Sequence, residues 1–353
     1  MAFHELCLHL FYTIFIITEM INRRDFLKSA SLLSLGALAA CNAKEATPAA
    51  PVENKNKGLG LQIYTLGPEL TQGDLSANMK RIREMGIKNL ELAGYNADQH
   101  NISGVSLEDF KKVAEDNDLK IVSSHVTPGI LMGGMFQRPG APAQKPKTLK
   151  EMVNDVKEFW KPVAEDHAKL GVEYLVQPMM PPRTVNCIED AKDFANLLNV
   201  SGEVVKATGG MQFGYHNHNM EFAKVTADSK AAVLGDLFSG MGMQGAEIIE
   251  DIYMDNTDPA NCIFELDVYW TVMGQQDPVA WLTKRADRIK MLHIKDFMVL
   301  GASGAMNFKN IFEKFYANGN KYFFIEIEDT NSGKQFGRLE ESAKFLNMSD
   351  FVK

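Results

Sequence analysis

Four short apolar runs in the second half of the chain each end on a residue able to hold a cation or move a proton. Met211-Gln212-Phe213 leads into Tyr215-His216-Asn217-His218. Ile263-Phe264-Glu265-Leu266 ends on Asp267, Ile289-Lys290-Met291-Leu292 on His293, and Tyr322-Phe323-Phe324-Ile325 on Glu326. Runs this short and this rich in Ile and Phe read as buried strands. Imidazole nitrogen and carboxylate oxygen suit a divalent Mn, Zn, Co, Fe or Mg ion. In a parallel barrel all strand C-termini lie on one face, and His216, Asp267, His293 and Glu326 would converge there. His218 shares strand parity with His216 and is the alternative donor on that run.

Each residue also has a plainer role. His293 alone fits a hydrogen-bonded core histidine, Asp267 a cap on the following helix or turn, and Glu326 an ion pair with Lys295. Their common position at matched strand ends favours the metal. Glu91, in Leu90-Glu91-Leu92, and His125, in Ser123-Ser124-His125, should face the same mouth and suit acid–base work or hydroxyl binding. Lys295 lies two residues past His293 and suits an oxyanion or carbonyl oxygen. Its competing role is an ion pair with Glu328 or Glu265.

The elements that must position these groups alternate along the chain. Strand-like segments fall at 59–65, 88–93, 119–126, 172–177, 211–216, 262–268, 289–294 and 322–327. Helical spacing follows each. Ser106-Leu107-Glu108-Asp109 opens one helix with a capping-box pattern, and Asp277-Pro278 opens another with an N-cap and first-turn proline. A helix is expected over 149–170, and 226–256 reads as helix, Gly-rich break, helix. The Gly/Pro-rich stretch 127–147 is long enough to be a functional loop. Alternation implies a parallel sheet. No Gly-x-Gly-x-x-Gly follows the first strand, so the dinucleotide-binding open sheet loses support, and strand count and length favour a closed (β/α)8 TIM barrel over 58–353.

The motifs Tyr215-His216-Asn217-His218, Phe264-Glu265-Leu266-Asp267-Val268-Tyr269-Trp270, His293-Ile294-Lys295-Asp296 and Phe324-Ile325-Glu326 resemble the xylose isomerase-like TIM barrels. That group is often labelled sugar phosphate isomerase/epimerase. Leu90-Glu91-Leu92-Ala93-Gly94-Tyr95 and Ser123-Ser124-His125 match its second and third strands. The resemblance implies a metal at the barrel mouth, with ligands from strands five to eight. Asp267, His293 and Glu326 map onto the last three; where the family commonly has Glu on strand five, this chain has His216. In the family's sugar epimerases that Glu and the one on strand eight are the two acid–base groups. Gln177, His218, Glu221 and Tyr269 are then candidate sugar contacts, and Trp270 a surface for a sugar ring.

The resulting expectation is a metal-dependent isomerase or epimerase working through an enediolate, with Glu326, Glu91, His125 and Lys295 in catalytic roles. Two alternatives stand beside it: a lyase opening a 3-keto-glycoside by β-elimination, and a non-catalytic sugar-binding lipoprotein. Neither a Gly-rich phosphate cradle nor an arginine cluster is evident, so an unphosphorylated sugar or keto-sugar is expected.

The N-terminus carries an export signal. Asn22-Arg23-Arg24-Asp25-Phe26-Leu27-Lys28 is a twin-arginine sequence, and Leu38-Ala39-Ala40-Cys41 resembles a lipoprotein cleavage box. Residues 1–40 read as signal, with 1–19 a mis-called start before the ordinary signal at 20–40. Cys41 would carry the lipid, 41–57 would be a flexible tether, and the protein would sit at the periplasmic face, touching the membrane only through that anchor. The net charge of −8 and the lack of a basic cluster exclude a nucleic-acid partner. Of four cysteines only Cys187 and Cys262 fall in the domain, too few for a disulfide framework.

Overall fold

In a computed structural model the chain is described over residues 53–136, 147–182, 184–227, 245–328 and 332–353. Arg23-Arg24, Cys41 and most of the expected tether lie outside these residues, as do 137–146 and 228–244. Residues at the start of the described part lie on the body: Asn54 donates its N–H to the Asn347 carbonyl at 3.0 Å, and the Lys57 ammonium reaches the Leu346 carbonyl at 3.3 Å.

Eight parallel strands close into a barrel. They are β1 (Leu59–Gln62), β2 (Ile87–Leu92), β3 (Lys120–His125), β4 (Tyr174–Gln177), β5 (Gln212–His216), β6 (Cys262–Asp267), β7 (Ile289–Ile294) and β8 (Tyr322–Ile325). Each pairs with its successor, and β1 pairs with β8. Around them run α1 (Leu75–Glu84), α2 (Leu107–Asp116), α3 (Val153–Leu170), α4 (Ile188–Gly209), α5 (Ile249–Asn256), α6 (Val268–Met273), α7 (Pro278–Lys284), α8 (Phe308–Ala317) and α9 (Gln335–Met348). The Ser106 side chain accepts from Asp109 N–H and that of Asp277 from Val279 N–H, as the capping patterns require.

Both faces of the strands are buried, which is why they read as continuous apolar runs rather than alternating ones. Outward residues pack under the helices in one large core. Inward residues Val122, Val176, Ile263, Met291, Tyr322 and Phe324 form a separate apolar plug inside the barrel. Gly60 makes room for it: a Cβ there would lie 2.6 Å from Phe324 Cδ1 and 2.2 Å from the Phe323 carbonyl oxygen.

The pairing of β2 with β3 is irregular in a way that matters for the site. Leu90 pairs with Ile121 but Glu91 with Ser123, so Val122 is an extra residue. Beyond such a bulge the inward parity changes. Val122 points into the plug, while Ser124 turns outward and its Oγ bonds His167 Nε2 of α3 at 2.9 Å. His125 is thereby aimed into the barrel.

Other departures are local. β1 stops at Gln62, whose side chain accepts from Tyr64 N–H, and a 3-10 turn follows over Ile63–Glu69, broken at Gly67 (φ 51°). The helix expected over 149–170 begins as a 3-10 turn, Leu149–Met152, before α3. Three two-residue strands at 95–96, 101–102 and 105–106 form a small ribbon after β2, too short to leave a periodic signal. Within the described part of 226–256, Glu247–Ile248 pairs antiparallel with Lys224–Val225 ahead of α5.

Candidate metal centre

The polar half of the barrel interior begins one or two residues beyond the plug. Register places Glu265 beside His216, Asp267 beside His293, and His293 beside Phe324, with Glu326 N–H donating to the Ile294 carbonyl at 3.3 Å. His216, Asp267, His293 and Glu326 each offer a donor atom within 4.8 Å of the others. Asp267 and His293 are 0 % exposed and Glu326 7 %. His293 Nδ1 lies 2.8 Å from Glu326 Oε2, and His216 Nε2 3.9 Å from Asp267 Oδ2.

Asp267 fills two positions at once. Its Oδ1 accepts from Trp270 N–H at 2.8 Å, capping α6. Its Oδ2 has no hydrogen bond; it is left with ion-pair contacts to Lys295 at 3.1 Å and His216 Nε2 at 3.9 Å. The plain role and the ligand role are therefore compatible. Lys295 is buried and also reaches Glu326 Oε2 at 2.7 Å and Glu328 Oε1 at 2.8 Å. The Trp270 ring packs over its ammonium at 5.5 Å.

A second layer sits behind the first. Glu265 Oε2 lies 2.8 Å from His125 Nε2, 3.2 Å from His293 Nε2 and 3.3 Å from His216 Nδ1. Glu91 Oε2 lies 2.5 Å from His293 Nε2 and 3.2 Å from His125 Nε2, and accepts from Gln62 Nε2 at 2.9 Å. His125, His216, Glu265 and His293 also present donors within 4.8 Å of one another.

Burial and neighbouring charge set the protonation states in the ion-free protein. Burial pushes His216 well below the usual imidazole range, and the surrounding His and Lys295 charges add to this. Burial pushes His293 the same way, but the carboxylates of Glu265, Glu91 and Glu326 outweigh it and hold it well above that range. For Glu326, burial would raise the carboxyl; Lys295 and His293 overcome it and hold it well below. Asp267 stays raised by burial despite Lys295.

The donor set fits a divalent ion. It is all nitrogen and oxygen, it is buried, and Asp267 Oδ2 within it makes no hydrogen bond. Unsatisfied buried polar atoms are rare in native proteins and call for an ion or a ligand.

Above the set opens a cavity of about 780 Å³ whose lining includes Tyr64, Tyr95, Asp98, His125, Phe159, His216, His218, Glu326 and Glu328. Among the expected substrate contacts only His218 lines it. Burial pushes His218 down to about 4, and its ring packs edge-on against His216 at 5.2 Å. His216 thus belongs to the buried set and His218 to the wall. Glu221 is buried, accepting from Tyr215 OH at 2.6 Å and from His218 N–H at 2.9 Å, which makes it a brace for the β5 end. Burial raises its carboxyl to about 6. Gln177 donates to the Met179 carbonyl at 3.0 Å, and Tyr269 packs on Trp270; neither lines the cavity. Glu91 is sealed beneath His293 and reaches the cavity only through its histidines. Glu265 is not among the site residues expected from the sequence, although a carboxylate inside the apolar run 263–266, two residues before Asp267 and on its face, is a signal for it.

The family described as xylose isomerase-like TIM barrel matches residues 79–348. The chain belongs to that family. Within it, the chain is similar to a sugar phosphate isomerase/epimerase from Parabacteroides distasonis: 45 % identity, 84 % of this chain and 99 % of that one covered, TM-score 0.73. A second protein of that description from the same organism is 36 % identical, covering 87 % and 100 % of the two chains with a TM-score of 0.71. The IolI protein, whose structure holds a zinc atom, shares the fold at 13 % identity and a TM-score of 0.56, covering 84 % of this chain and 98 % of that one. No curated protein sequence matches the chain.

Proposed function

We propose that this protein is a metal-dependent isomerase or epimerase of an unphosphorylated sugar or keto-sugar, removing a proton from the carbon next to a carbonyl. The observation that carries this reading is the buried set His216, Asp267, His293 and Glu326 at the floor of a solvent-open cavity. Relatives named as sugar phosphate isomerase/epimerases support the reaction class. A divalent ion held by these four side chains supplies Lewis acidity that polarises a carbonyl oxygen. Glu326 is the one carboxylate of that set lining the cavity, and it takes the proton from carbon. His125 also lines the cavity and serves the second carbon or oxygen, with Glu91 and Glu265 holding its imidazole from below. Lys295 offsets the charge of Asp267 and Glu326.

The unphosphorylated substrate is supported by the cavity wall. Among the described residues no Lys or Arg lines it, and Asp98, Glu326 and Glu328 make it acidic. A phosphate would meet no Lys or Arg of the described wall to bind it bidentately. Turnover of free sugars with rejection of their phosphates is the expected result; a preference for the phosphates would contradict it.

His216, at the strand-five position where the family commonly has Glu, favours a second reading: one-sided β-elimination from a 3-keto-glycoside. Deuterated water separates the two. Deuterium at the carbon beside the carbonyl of recovered sugar supports isomerisation or epimerisation. Release of the aglycone with an unsaturated keto-sugar supports elimination. Neither, across a broad panel, leaves a sugar-binding protein.

From the sequence alone we also propose periplasmic export in the folded state and anchoring through Cys41. A Cys41→Ser protein that stays in the membrane fraction would contradict the anchor.

A further inference from the structure

We infer that Glu265 is a positioning residue for the metal ligands: it fixes which nitrogen of His216 and of His293 faces the ion. This rests on the metal reading above. The two imidazoles stand between two carboxylate layers, and each turns one nitrogen to each layer. His216 directs Nε2 toward Asp267 and Nδ1 toward Glu265; His293 directs Nδ1 toward Glu326 and Nε2 toward Glu265 and Glu91. A neutral imidazole has one lone pair and one N–H. Whichever nitrogen gives the N–H to the inner layer leaves the other free to bind the ion in the outer layer.

Glu265 is the common element of that inner layer. A single oxygen, Oε2, stands within 3.3 Å of nitrogens from His125, His216 and His293. Its other oxygen makes no hydrogen bond, and His216 Nδ1, 3.3 Å from Oε2, makes none either. His293 has a second acceptor in Glu91, which Gln62 holds in turn; for His216 Nδ1, Glu265 is the ion-pair partner the structure offers. A carboxylate behind a ligand histidine fixes the ring's tautomer and raises its basicity. Glu265 also leaves the cavity wall to other residues, so it acts through the histidines and not on substrate.

The test uses full-length protein loaded with cobalt(II) or zinc(II), with circular dichroism confirming the fold of each variant. In Glu265→Gln the cobalt dissociation constant is expected to rise by about 10- to 100-fold, and the cobalt absorption bands to shift, with the bound stoichiometry unchanged. Affinity and bands equal to wild type would overturn the positioning role. An anomalous peak within bonding distance of Glu265 in wild-type crystals would overturn it too, making Glu265 a ligand. Should Glu265→Gln not fold, nitrogen NMR of zinc-loaded wild type decides the matter. His216 ligated through Nε2 and His293 through Nδ1 supports the inference; the opposite nitrogens overturn it. Wild-type protein that takes up no ion overturns the metal reading itself, an outcome distinct from wild type that binds while Glu265→Gln behaves identically.

Discussion

The two halves of the barrel interior are built from the same strands and follow opposite rules. The lower half is the apolar plug of Val122, Val176, Ile263, Met291, Tyr322 and Phe324. The upper half, one or two residues further along, packs Glu91, His216, Glu265, Asp267, His293, Lys295 and Glu326 into a space as buried as the plug, with His125 half-buried beside them. The one polar side-chain atom of the plug, the Tyr322 hydroxyl, is satisfied by Glu173 at 2.7 Å and Lys120 at 3.2 Å. The upper half leaves several polar atoms without a hydrogen bond, among them Asp267 Oδ2 and Glu265 Oε1. Such groups lower stability in the ion-free protein, and proteins depart from packing rules of this kind at functional sites. The fold's stability should therefore reside in the plug and walls, and its chemistry in the mouth.

The largest effect should come from the mouth. Asp267→Asn and Glu326→Gln are expected to lower kcat/KM on the true substrate by on the order of 10³-fold, about 4 kcal/mol of transition-state stabilisation. Stability of the ion-free protein should be unchanged or raised in Asp267→Asn, because burial disfavours that carboxylate's charge; Glu326→Gln should lower it, because His293 and Lys295 lose a buried partner. Denaturant titrations beside steady-state kinetics test this; parallel losses of stability and activity in Asp267→Asn would erase the distinction between the halves.

Phe324→Ala should do the reverse. Emptying the plug is expected to cost about 3–5 kcal/mol of stability, read as a lower denaturation midpoint, while protein that remains folded keeps its metal affinity. Loss of metal binding with intact stability would show that the plug positions the ligands.

A smaller effect concerns an imidazole in the wall rather than the mouth. His167 lies between α3 and β3, with Nδ1 on the Val163 carbonyl at 2.8 Å and Nε2 on Ser124. Burial pushes it down to about 4 from the ordinary 6.5. Between those values the unfolded chain takes up a proton that the folded one refuses, so stability falls as pH drops through that window. The loss attributable to this group is on the order of 3 kcal/mol by pH 4. In His167→Gln the acid limb of a stability–pH curve should flatten; an unchanged slope would contradict the assignment.

How much of this could be read from the sequence follows the same division. The strand β7 runs over the expected 289–294, because its apolar run is bounded on both sides and ends on His293. The convergence of His216, Asp267, His293 and Glu326 follows from parallel strands with ends at one level. The aim of His125 depends on the bulge at Val122, which no periodicity announces. Glu265 lies within a strand body, where its shared face with Asp267 is the signal of its place in the site and a pairing with Lys295 competes for it. Lys295 in fact pairs with Asp267, Glu326 and Glu328. Glu221 and Gln177 resemble sugar contacts in their residue type, but the hydrogen bonds they make to Tyr215, His218 and Met179 turn them into scaffold.

Whether the barrel mouth is built around an ion is decided by elemental analysis of protein purified without chelator. Roughly one equivalent of a divalent metal per chain is expected, lost on treatment with chelator and restored by Mn or Zn. Asp267→Asn combined with Glu326→Gln should abolish it. Wild-type protein holding less than about a tenth of an equivalent, and taking up none on dialysis against either ion, would contradict it.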